Sequence, residues 1–197
     1  MTSSSGQHFR KLLESLIAKG DECEWIEFKE NNSNPELIGE YISALSNSAF
    51  LADEPYGYLV YGIQDKGLDI VGTNFNFSQE KIGNEPLENW LSRLLDPRID
   101  FNVNTFEIDG NKIALFRIDC TSLRPVSFKG IEFIRVGSVT KKLKEHPEKE
   151  RKIWEKSSRT SFENLSVKDN VTSDEVLSLL DYPSYFDLLE IPLPQNK

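Results

Sequence analysis

The strongest constraint on the fold is a hairpin signature in the middle of the chain. The segment FNVNTFEI (101–108) is followed by an Asp-Gly pair at 109–110 and then by KIALFRID (112–119). Asp-Gly readily takes the positive φ angles that tight hairpin turns require, so the two segments are predicted to pair as antiparallel strands. The segment PVSFKGIEFIRVG (125–137) repeats this pattern around a Lys-Gly pair and predicts a second hairpin.

Apolar residues at helical spacing predict helices on both sides of these hairpins. They indicate helices over 8–19, 35–50 and 86–96, and the second of these begins with an Asn-Pro pair that favours helix initiation. A charged helix is expected after Pro147, and a short helix over 172–181.

Three further segments predict strands. WIEFK (25–29) alternates as a strand with one buried face, while YLVYGI (58–63) is typical of a central strand and LDIVG (68–72) of a short one. Helices alternating with strands and hairpins predict an α+β fold, in which a mixed β-sheet is covered by helices.

The composition of the last forty residues predicts a different role for the end of the chain. We expect a domain over 1–157 and a helical linker over 158–197, since the segment YPSYFDLLEIPLPQNK ends in a proline-rich turn and carries aromatic side chains that need apolar partners. The sequence is therefore predicted to be the N-terminal piece of a longer protein with a further C-terminal region.

Charge and composition exclude several classes of protein. The chain of 197 residues has 23 Lys and Arg against 32 Asp and Glu, a net charge of -9, so its whole surface is not attracted to polyanions or anionic membranes. No apolar run is long enough to cross a membrane, and the N-terminal segment MTSSSGQHFRKLLE lacks the apolar core of a signal peptide, which predicts a cytoplasmic location. The two cysteines form neither a CxxC pair nor a zinc motif.

A cluster of carboxylates is the first candidate site. Glu22, Glu24 and Glu27 are followed by Lys29, and Asp65 comes after the central strand. Carboxylates at strand ends can hold divalent cations that stabilise phosphodiester cleavage, and Lys29 could contact a phosphate. A solvated acidic turn with a surface ion pair is the alternative, and composition alone favours it.

A basic stretch is the second candidate. Residues 135–159 contain nine basic and four acidic side chains, a local charge of +5. Small and hydroxyl residues in RVGSVTKK would let a phosphate approach the backbone. For the helical part, a solvated helix with i,i+4 pairs such as Glu148 with Lys152 is the favoured interpretation. The candidate phosphate contacts are therefore Arg135, Ser138, Thr140, Lys141, Lys142 and Lys144, together with Lys29.

Four segments together resemble a known family. The succession EcewiEFKeN, IgeyISALSNsA, gYLVYGIqDkGldIVGT and FIRVGSvTKkLkeHPeKErkiW is similar to the Schlafen/AlbA-type DNA-binding domain over about residues 12–156. The resemblance implies nucleic-acid binding, and in some Schlafen proteins a metal-dependent endoribonuclease. By motif, the acidic residues of that nuclease correspond to Glu22, Glu27 and, less closely, Asp65, with Mg²⁺ or Mn²⁺ as the expected metal.

Three functions follow as hypotheses. The favoured one is a module of a bacterial transcriptional regulator that binds DNA or RNA through the basic loop and Lys29, without a required cofactor. The second is a metal-dependent endoribonuclease that uses Glu22, Glu27 and Asp65. The third is an oligomerisation or interaction module for a downstream ATPase-like region. A homodimer is compatible with the resemblance, and no membrane partner is expected.

Overall fold

The computed structural model divides the chain into two compact units, Met1–Ser161 and Phe162–Lys197. In the second unit the structure describes Thr172 and a helix, Tyr182–Leu188, with the turn after it. The helix expected over 172–181 lies outside the described residues, apart from Thr172. The described residues are 4–20, 23–32, 34–64, 67–121, 123–160, 172 and 182–192.

The main sheet of the first unit contains four strands in the order β1-β2-β7-β6. β1 runs parallel to β2, and the remaining pairs are antiparallel, so the sheet is mixed as the sequence predicts. The Asp-Gly hairpin joins β6 to β7. The strands are β1 (Ile26–Lys29), β2 (Tyr56–Tyr61), β6 (Phe101–Ile108) and β7 (Asn111–Asp119).

A second, antiparallel sheet has the order β10-β9-β8-β5. Its central hairpin turns at the Lys-Gly pair at 129–130, which confirms the second predicted hairpin. A two-residue hairpin of β3 (Lys81–Ile82) and β4 (Glu85–Pro86) precedes it in the chain. The strands of the second sheet are β5 (Leu95–Asp96), β8 (Ser127–Phe128), β9 (Ile131–Val136) and β10 (Val139–Lys142).

Four helices pack around the sheets: α1 (Ser4–Lys19), α2 (Pro35–Leu51), α3 (Leu87–Leu94) and α4 (Pro147–Thr160). α1 places Leu13 in a cluster with apolar residues of the main sheet, and α4 places Ile153 in one with residues of α2 and β9. α2 is buried almost all round because it packs against both sheets. Among the described residues, no helix is both long and apolar enough to span a membrane.

α2 carries polar side chains on a face that is completely buried. The Asn47 amide donates to the carbonyl oxygens of Val126 (2.9 Å) and Phe133 (2.8 Å), and accepts from the Val126 amide at 2.8 Å. The Ser43 hydroxyl donates to the Val126 carbonyl and accepts from the Phe133 amide. Buried backbone groups need partners, and here a helix supplies those that a neighbouring strand would otherwise provide.

Glycines allow α2 to lie close to both sheets. A Cβ at Gly57 of β2 would stand 2.8 Å from the backbone oxygen of Leu45, and a Cβ at Gly39 of α2 would stand 2.3 Å from the Phe128 ring. Both distances are shorter than van der Waals contact. Any side chain at these positions would therefore force the helix and the sheets apart.

β1 differs from its sequence pattern, which predicted one buried face. Glu27 and Phe28 are both buried and Lys29 is half-buried. The reason is that α1 covers one face of the main sheet while α2 and the second sheet cover the other. The sequence pattern predicted that the face of β1 carrying Glu27 and Lys29 would be open to solvent, and this prediction is wrong.

The expected strand over 68–72 is also wrong. The structure forms only a single bridge, between Ile63 and Ile70. Gly67, Leu68 and Gly72 all have φ between 58° and 88°, which breaks the extended conformation that a strand requires. β2 likewise ends before Gly62, where φ is 100°.

Replacing Asn47 by Ala should lower the free energy of unfolding by about 3 kcal/mol, because several buried backbone groups lose their partner at once. Ser46→Ala, in the same helix, removes one hydrogen bond to the Asp119 carbonyl and should cost about 1 kcal/mol. Urea denaturation of both variants measures the difference. An equal loss of unfolding free energy in the two variants would contradict the role of Asn47 as the main hydrogen-bonding link between α2 and the second sheet.

Candidate functional site

The most prominent polar feature of the structure is a buried carboxylate held between two cations. Glu27 is only 7% exposed. Its Oε1 lies 2.7 Å from Lys29 Nζ, and its Oε2 pairs with Arg135 Nη2. Arg135 is 2% exposed, so the arginine and the carboxylate neutralise each other away from water.

Strand geometry brings these three side chains together. Glu27 and Lys29 are two residues apart on β1 and so share a face of the strand. Arg135 comes from β9 of the second sheet, where its backbone amide donates to Ser48 Oγ at 3.0 Å and its Nη1 donates to Thr140 Oγ1 at 3.1 Å. The ion pair therefore connects one sheet to the other.

Tyr61 lies beside this cluster, directly opposite Lys29 in the β1–β2 register. Burial raises the pKa of its phenol, and the nearby Tyr41 and Glu27 raise it further, so the hydroxyl stays protonated. Within the described part of the chain, neither Tyr61 Oη nor Arg135 Nε has a hydrogen-bond partner. The cluster thus keeps two buried donors beside its charges.

The predicted acidic site falls largely outside the residues that the structure describes. Glu22 and Asp65 lie outside them. Glu24 accepts from the Gly137 amide at 3.0 Å and pairs with Lys149 at 2.6 Å. Within the described ranges, no group of three His, Cys, Asp or Glu side chains could hold a metal ion. In this arrangement both Glu27 oxygens face cations.

Arg135, which the sequence predicts as a phosphate contact, is buried in this structure. The sequence placed it in an exposed basic loop, but it belongs to the buried face of β9. Its charge is already balanced by Glu27. A phosphate could be contacted only after this ion pair had opened, which would leave the buried Glu27 carboxylate with Lys29 alone as its counter-charge.

The other predicted contacts divide between the two faces of β10. Thr140 and Lys142 lie opposite Arg135 and Phe133, whereas Lys141 lies opposite Ile134 and therefore points to the other face. Ser138 is exposed in the turn that precedes β10. The alternation of the strand separates lysines that are neighbours in sequence.

Lys142 and Lys144 border one pocket of about 320 Å³, together with Gly130, Ile131 and Glu132. Burial raises the pKa of the Glu132 carboxyl, and Glu150 adds to this while Arg124 opposes it. The pocket thus combines two ammonium groups with a carboxyl that is harder to ionise than usual. Sequence reasoning missed Glu132, which stands in no charged run, and it treated Tyr61 only as a residue of the central strand YLVYGI (58–63).

Ion pairs separate the basic stretch into balanced and unbalanced parts. On α4, Arg151 pairs with Glu155 at 3.6 Å, and Lys149 and Lys156 also have carboxylate partners. Among the described residues, no carboxylate lies within 4.0 Å of the Nζ atoms of Lys141, Lys142 or Lys144. Among the described residues of the stretch, the unpaired lysines are therefore Lys141 and Lys142 on β10, Lys144 in the turn after it and Lys152 on α4.

A comparison of the sequence with models of protein families identifies the family of this chain. The family model described as Schlafen, AlbA_2 matches residues 22–144, which include all four strands of the main sheet as well as β9 and β10. The chain belongs to the Schlafen AlbA_2 family. No curated protein matches the chain.

Solved structures similar to this Schlafen AlbA_2 chain include the DIP2311 protein from Corynebacterium diphtheriae, with 16% sequence identity and a TM-score of 0.45. This chain covers 27% of that protein, and 68% of this chain is matched. A second is the N-terminal domain of a protein described as related to the ATP-dependent DNA helicase RecG, from Nitrosomonas europaea. Its identity is 20% and its TM-score 0.40, with 66% of this chain and 88% of that domain covered.

The Glu27→Gln variant of this Schlafen AlbA_2 chain should be destabilised by about 3–5 kcal/mol, because Arg135 would remain buried without a counter-charge. The variant Glu27→Gln/Arg135→Met removes both charges and should regain a large part of that loss. Chemical denaturation of both proteins measures the difference. A Glu27→Gln protein as stable as the wild type would contradict the structural role of the ion pair.

Proposed function

We propose that the chain is a nucleic-acid-binding module of a bacterial transcriptional regulator, and that it contacts phosphates through β10 and the turn Leu143–Glu145. The observation that carries the proposal is the positive charge of Lys141 and Lys142 on an exposed sheet edge and of Lys144 in the turn after it, which have no carboxylate within 4.0 Å among the described residues. Membership in the Schlafen AlbA_2 family supports the same function.

The position of β10 suits a phosphate backbone. It is the outermost strand of the second sheet, so one of its edges has no strand partner within the described residues. Backbone amides on such an edge, together with lysines and the hydroxyls of Ser138 and Thr140, are the groups that commonly bind phosphate oxygens. Because the chain as a whole carries a charge of -9, a polyanion would be attracted only to this local surface.

The environment of Glu27 favours binding over cleavage. A metal-dependent nuclease needs carboxylate oxygens that face a metal ion, whereas both oxygens of Glu27 face Lys29 and Arg135. Lys29 already forms an ion pair with the Glu27 carboxylate. The lysines of β10 have no carboxylate partner among the described residues, and they are the groups that we assign to the phosphate backbone.

Replacing Lys142 and Lys144 together by Gln should weaken binding to duplex DNA and hairpin RNA and reduce the slope of log K against log salt by about 2, one for each lost phosphate contact. Fluorescence anisotropy at several salt concentrations measures both quantities. The matched control is Lys11→Gln/Lys152→Gln, which removes two exposed charges from α1 and α4 and should leave the slope near that of the wild type.

Two outcomes would overturn the proposal. One is binding that does not depend on salt, and the other is an equal loss in the control and in the Lys142/Lys144 variant. Running the same samples with Mn²⁺ on a denaturing gel separates binding from cleavage. Intact strands are expected, and metal-dependent shortening would favour the nuclease hypothesis instead.

A further inference from the structure

The turn between β9 and β10 holds a carboxylate between two hydrogen-bond donors. Glu24 Oε1 lies 3.0 Å from the backbone nitrogen of Gly137 and 2.8 Å from Lys149 Nζ. Glu24 Oε2 lies 2.6 Å from the same Nζ atom. A backbone amide and an ammonium group thus converge on one anionic oxygen, and this pair of donors is equally suited to a phosphate oxygen.

The shape of the turn leaves the Gly137 amide accessible. Val136 and Val139 lie opposite each other in the β9–β10 register, so Gly137 and Ser138 form a two-residue turn outside the ladder. The φ of Gly137 is 57°, and a Cβ at this position would meet no heavy atom of the described chain within 4 Å. A ligand can therefore approach the turn amide closely.

Glu24 can leave its partners at a lower cost than Glu27 can. The Glu24 side chain is 34% exposed, whereas the Glu27 side chain is 8% exposed. A displaced Glu24 carboxylate would be solvated by water, while a displaced Glu27 carboxylate would stay buried. Of these two acidic residues, Glu24 is therefore the one whose partners another anion can take.

The turn adjoins the lysines that we assign to the phosphate backbone. Gly137 comes four residues before Lys141, which is about 13 Å along an extended strand. Successive phosphates of one strand of a duplex rise about 3.4 Å along its axis, so about four nucleotides cover this distance. Ser138, which is exposed, lies between the turn amide and β10.

We propose that the Gly137 amide and Lys149 form a further phosphate subsite, which Glu24 occupies in the unbound protein and a backbone phosphate of the bound nucleic acid takes over. Glu24 then acts as an internal competitor that lowers the affinity of the chain for polyanions. The inference rests on the proposed function, because the subsite adds one phosphate contact to those of the β10 lysines.

A double-mutant cycle tests the competition. Glu24→Gln keeps an oxygen that can accept from the Gly137 amide but removes the charge, and it should tighten binding to duplex DNA and hairpin RNA about threefold. Lys149→Gln should weaken binding and reduce the slope of log K against log salt by about 1. Because Glu24 competes only for this subsite, Glu24→Gln should give little gain when Lys149 is also replaced by Gln.

The matched control is Glu155→Gln, because Glu155 pairs with Arg151 on the same helix, α4, at 3.6 Å. This variant also removes one negative charge and releases one cation. Any gain that it gives comes from the change in net charge, so this gain should be the same with Lys149 present and with Lys149 replaced.

A measurement on the wild-type protein needs no variant. In ¹H–¹⁵N correlation spectra the Gly137 amide signal should shift when hairpin RNA is added, since its acceptor changes from a carboxylate to a phosphate. The Gly110 amide, in the β6–β7 turn, serves as the reference and should shift less. Inorganic phosphate at matched ionic strength tests the other source of this chemistry, and it should shift the Gly137 signal far less than the RNA does, because it makes none of the β10 contacts.

The failures of the two proposals are distinguishable. An equal gain from Glu24→Gln with and without Lys149, or a Gly137 signal that the RNA leaves unchanged, would overturn the subsite and leave the phosphate surface of β10 intact. A Gly137 signal that shifts as strongly with inorganic phosphate as with the RNA would also overturn the subsite as a nucleic-acid contact. If the wild-type protein shows no salt-dependent binding, both proposals fail.

Discussion

Hydrogen bonds from the buried polar face of α2 to the backbone of the second sheet determine how the two sheets are placed. Asn47 and Ser43 occupy the position that a further strand would take, so a helix can cross between the sheets without leaving amides and carbonyls unpaired. A helix with an apolar face alone would bury this backbone at a cost of about 1–3 kcal/mol for each unsatisfied group. The close approach at Gly39 and Gly57 makes these short bonds geometrically feasible.

The Glu27–Arg135 pair depends on that placement. It spans the sheets at a point where Ser48 of α2 also binds the Arg135 amide, so a hydrogen bond independent of the ion pair holds the Arg135 backbone. Charges buried in this way contribute little net stability, but the loss of one partner is costly. The pair thus specifies a single relative position of the sheets, and it leaves the positive charge of β10 as the part that solvent and ligands can contact.

Much of the fold could be predicted from local sequence, and much of the site could not. The hairpin at 109–110 was predicted almost to the residue, because an Asp-Gly turn constrains its own backbone. Arg135 is buried, and the second face of β1 is covered, because the second sheet packs against the main sheet. That packing joins segments far apart in the chain, so the local sequence pattern does not show it. The glycines near 68–72 take left-handed conformations that an apolar pattern does not show. Glu22 and Asp65 lie outside the described residues, so the acidic site stays a prediction.

The lysines on both faces of β10 have a consequence for solubility. An exposed edge strand can pair with the edge of another molecule, and charged side chains at such an edge oppose this through electrostatic repulsion. When a polyanion neutralises Lys141 and Lys142, that repulsion disappears while the backbone of the outer edge stays open. Crowding of several copies on one long strand would therefore favour edge-to-edge association, so the lysines that we propose as phosphate contacts would also oppose self-association of the unbound protein.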